Sequence, residues 1–187
     1  MELVKLRAES MQKAGTIMEG TMAAIIGLDR TIIDEICKNY DKGIVVPANF
    51  NAPGQIVVSG EIDAVKDVMV LAKDAGARMV VELNVSGAFH SPLMTSAKEA
   101  LTEKLNSIKI NDIDIPVYSN VSAQSVTKSD DIRQNLIDQL DNAVLWHDTI
   151  INMQKENITK FIEVGPGKVL QGLNKRIDRK INSSGIE

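Results

Sequence analysis

His90 stands at the end of a strand-like run, in the stretch "NVSGAFHSPLM" (Asn84 to Met94), and is one of two histidines in the chain. An imidazole titrates near neutrality, so a histidine on a loop just after a strand suits general base work. A structural histidine bonded to backbone is the plainer alternative. Arg7 lies four residues before Met11 on the apolar stripe of the opening segment "MELVKLRAESMQKA". A guanidinium on such a face needs a partner, and its planar fork matches a carboxylate. That carboxylate could belong to the protein or to a substrate.

Other residues offer less. "EVGPGK" is a strand, a Gly-Pro-Gly turn and Lys168 at the start of a helix. Such a turn could cradle an anion on backbone N–H groups, but it lacks the full phosphate-loop pattern. The plainer reading is a tight strand-to-helix turn. "NFNAPGQ" gathers amides, Asn51 among them, at a turn beside two strands. Asn and Gly favour turns for backbone reasons, so a ligand contact is open but not required. His147 falls inside a helical pattern and reads as surface or packing. Cys37 lies on the buried side of its helix, where it behaves as a small apolar residue. "KRIDRK" (Lys175 to Lys180) reads as a solvated helix face, or as a dock for an acidic partner.

These residues sit on a recognisable alternation of elements. "TMAAIIGL" is strand-like, and "DRTIIDEICKNYDK" puts Ile32, Ile33, Ile36, Cys37 and Tyr40 on one helical face, with Asp29 as its cap. "GIVVPANF" and "QIVVSGE" form a hairpin-like pair across Pro53-Gly54. "EIDAVKDVMVLAKDAG" is a helix stopped at Gly76, and "ARMVVELNVS" a fourth strand. The order β-α-β-β-α-β over residues 21–86 describes a ferredoxin-like unit. After His90 the pattern predicts a helix in "SPLMTSAKEALTEKLNSIKI", a strand over Ile115–Ser122 and a helix in "SDDIRQNLIDQL" capped by Ser129 or Asp130. A further helix in "NAVLWHDTIINMQKEN", a strand in "KFIEV", a closing helix and a frayed tail "NSSGIE" complete it. The fold class is therefore α/β. The small unit, 21–86, is inserted in an incomplete α/β domain made of residues 1–20 and 87–187.

Composition sets the outer limits. The 187 residues are 44% apolar but only 3% aromatic, so Ile, Val, Leu, Met and Ala build the core. A net charge of −4 argues against a general nucleic-acid binder. One cysteine excludes an intrachain disulfide and a cysteine zinc cluster. Apolar runs are too short to span a membrane, and no signal peptide opens the chain. A cytoplasmic setting is expected. The first residues already read as helix interior, with Leu3, Val4, Arg7, Met11 and Ala14 at helical spacing and no cap before them. The expectation is that something once preceded them.

"LRAESMQKA", "GTMAAIIGL", "PANFNAPGQIVVSG", "VSGAFHSPLM", "YSNVSA", "IDQLDNAVLW" and "FIEVGPGKVLQGL" follow one another in this order. Together they resemble the malonyl-CoA:acyl-carrier-protein transacylases of type II fatty acid synthesis, over nearly the whole chain. The resemblance implies a ferredoxin-like subdomain set into a hydrolase-like α/β domain. It also implies transfer of malonyl from malonyl-CoA to the phosphopantetheine thiol of acyl carrier protein through a seryl acyl-enzyme, with no cofactor. It makes His90 the base and Arg7 the holder of the malonyl carboxylate. Gln139 becomes the residue whose backbone carbonyl orients the histidine ring, Met11 a neighbour of the acyl pocket, and Phe89 the residue whose bulk favours malonyl over methylmalonyl. The family's nucleophile lies in a Gly-X-Ser-X-Gly elbow, and that pattern occurs nowhere in this sequence. Ser91 is a poor substitute, because adjacent side chains rarely point at one target. The chain is thus expected to be the C-terminal portion of a transacylase, inactive alone. The alternative is a non-catalytic ferredoxin-like module that binds a small ligand or a carrier protein. A simple acyl hydrolase fits less well, because fatty chains would leave Arg7 unpaired.

Overall fold

The computed structural model describes residues 2–186. Helix α1 (Glu2–Ile17) leads into β1 (Gly20–Ile26), α2 (Arg30–Asn39), β2 (Val45–Ala52), β3 (Gln55–Glu61), α3 (Ile62–Asp74) and β4 (Met79–Glu82). The four strands form one antiparallel sheet in the order β2-β3-β1-β4. Side chains alternate across a strand, and both faces of this sheet are covered. One face carries Ala23, Ile25, Phe50, Ile56 and Val58 beneath Ile33 and Cys37 of α2 and Val65, Val68 and Ala72 of α3. The other carries Met22, Ala48 and Val57, with Leu83, Val85 and Phe89 packed on them. This double coverage explains why β1 and β3 read as nearly unbroken apolar runs.

Local chemistry fixes the ends. Helix α3 stops in a Schellman motif: Gly76 N–H donates to Lys73 O and Ala77 N–H to Ala72 O, both at 2.9 Å. Gly76 sits at φ +96, which a side chain would resist. Asp29 occupies the cap position of α2 but makes no side-chain capping bond.

A second body of packing lies beyond β4. A 3₁₀ turn (Pro92–Met94) runs into α4 (Thr95–Ser107), which lies against α1. Met11 and Ala14 of α1 meet Met94, Ala97, Leu101 and Leu105, together with Ile137 and Leu140 from α5 (Ser129–Asp138) and the turn after it. Val4 departs from the expected apolar stripe and is 67% exposed.

Four expectations are corrected here. The strand over Ile115–Ser122 shrinks to β5 (Val117–Tyr118), paired with β6 (Ser125–Val126), because residues 119–124 turn, with Ala123 at φ +55. Helix α5 is not capped by Ser129 or Asp130; the Asp112 carboxylate accepts from Ser129 N–H at 2.8 Å. Helix α6 (Trp146–Lys155) starts only at Trp146, since residues 142–145 are drawn toward β2 by Phe50 N–H to Val144 O and Val144 N–H to Ala48 O, both 2.8 Å. The tail is not frayed over its described length. β8 (Asn182–Ile186) pairs in parallel with β7 (Lys160–Val164), and α7 (Val169–Ile177) connects them. No described helix is long and apolar enough to cross a membrane.

Candidate active site

His90 is held in an unusual backbone state, φ +59, a left-handed region that few non-glycine residues adopt. The next residue makes this turn rigid. Ser91 is fully buried, and its Oγ donates to Ala88 O at 2.6 Å and accepts from Leu93 N–H at 3.3 Å. Its hydroxyl is therefore committed to capping the 3₁₀ turn. His90 Nδ1 lies 3.0 Å from the backbone carbonyl of Gln139, in the turn that ends α5. The Gln139 side-chain amide is also near Nδ1, at 3.5 Å. One nitrogen cannot donate to a carbonyl and accept from an amide together, and the shorter contact governs. Nδ1 then carries the proton, and the lone pair falls to Nε2.

Burial pushes the His90 pKa below its ordinary value. The backbone of Gln139, and less strongly that of Asn142, opposes that shift, and the Arg7 guanidinium adds to it. A lowered pKa favours the neutral imidazole at pH 7, the form a general base needs. The Arg7 charge acts on the ring. Arg7 itself is half-buried on α1, and among the described residues no carboxylate lies within 4.0 Å of it. A guanidinium with no carboxylate partner among the described residues favours an anionic ligand.

Met11, one helical turn on, is buried among Ala14, Met94 and Leu101, and Phe89 packs on that cluster. Phe89 also packs on the sheet cluster of Met22, Ala48 and Val57, so it sits at the junction of the two bodies. The approach of α1 to this loop depends on Gly15: a Cβ there would stand 2.6 Å from Ser86 O and 3.5 Å from Gly87 Cα. Gly15→Ala is expected to destabilise the chain by about 1–3 kcal/mol, the usual cost of overpacking. Urea unfolding checks it, with the midpoint shifted downward.

The remaining candidates separate clearly. Asn51 lies within β2 rather than in the turn, at a register shift between Phe50 and Ala52. It is half-buried, makes no side-chain hydrogen bond among the described residues, and belongs to neither sheet cluster. The anion cradle expected as one reading of "EVGPGK" is already filled. The Glu163 carboxylate accepts from Leu170 N–H at 3.0 Å and Gln171 N–H at 3.3 Å. These bonds, Leu170's foremost, hold Glu163 below the usual carboxylate range. Lys168 is exposed at the start of α7. His147 is half-buried on α6. Burial, then the charge of Asp34, pushes the Cys37 thiol up to about 12, so it is inert.

Lys175, Arg176 and Arg179 line a cleft of about 580 Å³ with Gly27, Pro53 and Gly54. Arg78 joins them from the loop before β4, and Arg176 bonds the Gln55 side chain. The sequence reading missed Arg78, which is nearly a hundred residues from the basic cluster and bears no local signal. A groove of about 690 Å³ between α2 and α3, lined by Ile32, Glu35, Tyr40, Asp67 and Leu71, contains neither His90 nor Arg7. Among the described residues no group of three or more His, Cys, Asp or Glu could hold a metal ion.

Comparison with known proteins bears on this geometry. The family described as "Acyl transferase domain" matches residues 2–183. The malonyl CoA-acyl carrier protein transacylase of Bacillus subtilis (strain 168) is 43% identical over 185 residues, covering 98% of this chain and 58% of the relative. The crystal structure of an acyl carrier protein S-malonyltransferase from Vibrio cholerae superposes with a TM-score of 0.94 at 39% identity, covering 100% of this chain and 61% of that one. A malonyl-transacylase solved in complex with a type II PKS acyl-carrier protein gives a TM-score of 0.93 at 38% identity, covering 99% and 60%. The chain thus spans about three fifths of the length of these relatives. With a family match that runs from α1 to β8, the chain belongs to the acyl transferase domain family.

Proposed function

We propose that this chain supplies the base and the carboxylate clamp of an S-malonyltransferase whose attacking serine lies outside these 187 residues. The observation that carries the reading is a His90 whose Nδ1 lies 3.0 Å from the Gln139 carbonyl and whose pKa burial lowers, together with an Arg7 whose charge acts on that ring and which has no carboxylate within 4.0 Å among the described residues. His90 Nε2 takes the seryl proton as oxygen attacks the thioester carbonyl of malonyl-CoA. A C–O bond forms, the C–S bond breaks, and the CoA thiolate leaves with the proton from His90. The phosphopantetheine thiol of acyl carrier protein then gives its proton to His90 and attacks the seryl ester; a C–S bond forms, the ester C–O bond breaks, and the serine oxygen leaves with the proton from His90. Arg7 holds the malonyl carboxylate throughout, while Phe89 and Met11 bound the acyl pocket. Gln139 keeps the ring in the tautomer that leaves Nε2 unprotonated, and Asn51 contributes from the sheet side. No cofactor takes part.

The rest of the layout fits. The strand order β2-β3-β1-β4 supports reading residues 21–86 as a ferredoxin-like subdomain, inserted between segments 1–20 and 87–187 of a hydrolase-like domain. The cleft of Arg78, Lys175, Arg176 and Arg179 suits an acidic carrier protein. An apolar cleft of about 360 Å³ beside Gln139, lined by Ile113, Val117, Ile132 and Leu136, suits packing of the segment that bears the serine. A single buried cysteine accords with a cytoplasmic setting.

The test joins this chain to the portion of the Bacillus subtilis relative that it does not span, and incubates the joined protein and the chain alone with malonyl-CoA. Intact mass is expected to reveal a malonyl adduct on the joined protein only. No adduct on either would favour the non-catalytic binding module. The pH dependence has a fixed sign. The base works only when neutral, and burial holds its pKa below 6.5. Thus kcat/KM of the joined protein should rise through a midpoint below pH 6.5 and be flat at neutrality. A midpoint above 6.5 would contradict this assignment.

A further inference from the structure

The carbonyl that orients His90 is itself held in place, by a group of charges that the sequence reading did not single out. Lys98, on α4, directs its Nζ at two carboxylates: Asp138 Oδ1 at 3.0 Å and Asp141 Oδ1 at 2.9 Å. The three side chains are 25%, 31% and 19% exposed, so water screens them only in part. Asp138 immediately precedes Gln139, and Asp141 follows two residues later. Both carboxylates are otherwise engaged. Gln134 Nε2 donates to Asp138 Oδ2 at 2.8 Å, and Asn142 Nδ2 donates to Asp141 Oδ1 at 2.8 Å and to Asp138 O at 2.9 Å. Between them Leu140 is fully buried in the α1–α4–α5 cluster.

The other end of the arrangement is just as fixed. Lys98 follows His90 by eight residues through the Ser91-capped 3₁₀ turn and the first turn of α4. One ammonium therefore ties the element that carries the imidazole to the turn that carries its acceptor. Burial works against the Lys98 charge, but the two carboxylates outweigh it and hold its pKa above the ordinary lysine value.

We propose that Lys98 is a positioning residue: by bridging Asp138 and Asp141 it clamps the turn that presents the Gln139 carbonyl to His90 Nδ1, and so sets the tautomer and orientation of the ring. Without the ammonium, two part-buried carboxylates face each other uncompensated across Gln139. The turn then shifts, and the 3.0 Å bond from His90 to Gln139 O is the contact it carries with it. Arg7, on α1, is the charged group that acts on the ring, and the substitution leaves it in place. The catalytic consequence rests on the malonyl-transfer reading, but the effect on the ring does not.

The experiment is nitrogen-15 NMR of histidine in the joined protein, with His90 assigned by its disappearance in His90→Asn. The wild-type ring should show a protonated Nδ1 when neutral. In Lys98→Met that preference is lost, and the His90 midpoint falls by up to about one pH unit, because a carbonyl acceptor favours the protonated ring. Malonyl transfer should lose up to about 10²-fold in kcat with little change in KM. Lys98→Arg should restore both readouts. Lys128→Met, which removes an exposed pair with Asp112 elsewhere on the surface, should alter neither. An unchanged tautomer and midpoint in Lys98→Met would overturn the proposal, whatever happens to the rate. If His90→Asn retained transfer, the malonyl reading would fail while the NMR result still decided the role of Lys98.

Discussion

Replacing His90 by alanine in the joined protein is expected to lower malonyl transfer by about 10²–10⁴-fold, the usual contribution of a positioned base. A seryl hydroxyl is a weak nucleophile unless a neighbouring base takes its proton in the transition state. His90 meets the geometric and electrostatic demands at once. Its Nδ1 is committed to Gln139 O, which leaves the lone pair on Nε2, and burial favours the uncharged ring. The fold should survive the change, since the ring is only half-buried and its 3.0 Å bond runs to a backbone carbonyl. Alanine is strained at φ +59 whereas asparagine tolerates that region. His90→Asn therefore separates chemistry from folding: both variants should lose transfer, and the asparagine variant should keep wild-type unfolding behaviour. Transfer by either variant within threefold of wild type would exclude His90 as the base.

Replacing Arg7 by methionine should produce the second largest effect, and a selective one. Methionine keeps the helix and much of the apolar stem while removing the fork. Malonyl transfer should fall by roughly 30- to 1,000-fold, the equivalent of about 2–4 kcal/mol for a lost charge-paired contact. Acetyl transfer should not fall, because an acetyl group has no carboxylate to place. The decisive quantity is the ratio of kcat/KM for malonyl-CoA to that for acetyl-CoA. A parallel loss of both would mean that Arg7 supports the fold rather than the substrate. The absence of a carboxylate partner for Arg7 among the described residues argues against that outcome.

How much of this was legible in the chain depended on whether the information was local. The β-α-β-β-α-β order was readable because each element carries its own period, and Pro53-Gly54 and Gly76 mark turns by backbone chemistry. The errors fell where distant contacts override local preference. Residues 142–145 look helical in isolation, yet Phe50 and Ala48 draw Val144 into an extended pairing with β2. "NSSGIE" carries no strand signal, yet β7 supplies a partner for it. The Ser129 N–H that opens helix α5 donates to Asp112, seventeen residues away, where the sequence offered Ser129 and Asp130 as caps.

The site divides the same way. His90 and Arg7 could be named as candidates from residue type and position, but only the resemblance assigned the lone imidazole the role of a base. The carbonyl of Gln139 has no side-chain identity for a sequence to display. The anion cradle in "EVGPGK" failed because Glu163, six residues before Val169, folds back onto the amides that a ligand would have used. The Lys98 bridge joins residues forty and more positions apart, and no spacing rule would have paired them.

The central claim is that His90 and Arg7 converge on a single malonyl group. A crystal structure of the joined protein trapped as its malonyl-enzyme tests it most directly. The prediction is a bidentate contact from the Arg7 fork to the malonyl carboxylate, with His90 Nε2 within hydrogen-bond distance of the seryl ester oxygen and Nδ1 still on Gln139 O. A malonyl carboxylate held by some other group, with the His90 ring turned away from the ester, would contradict it.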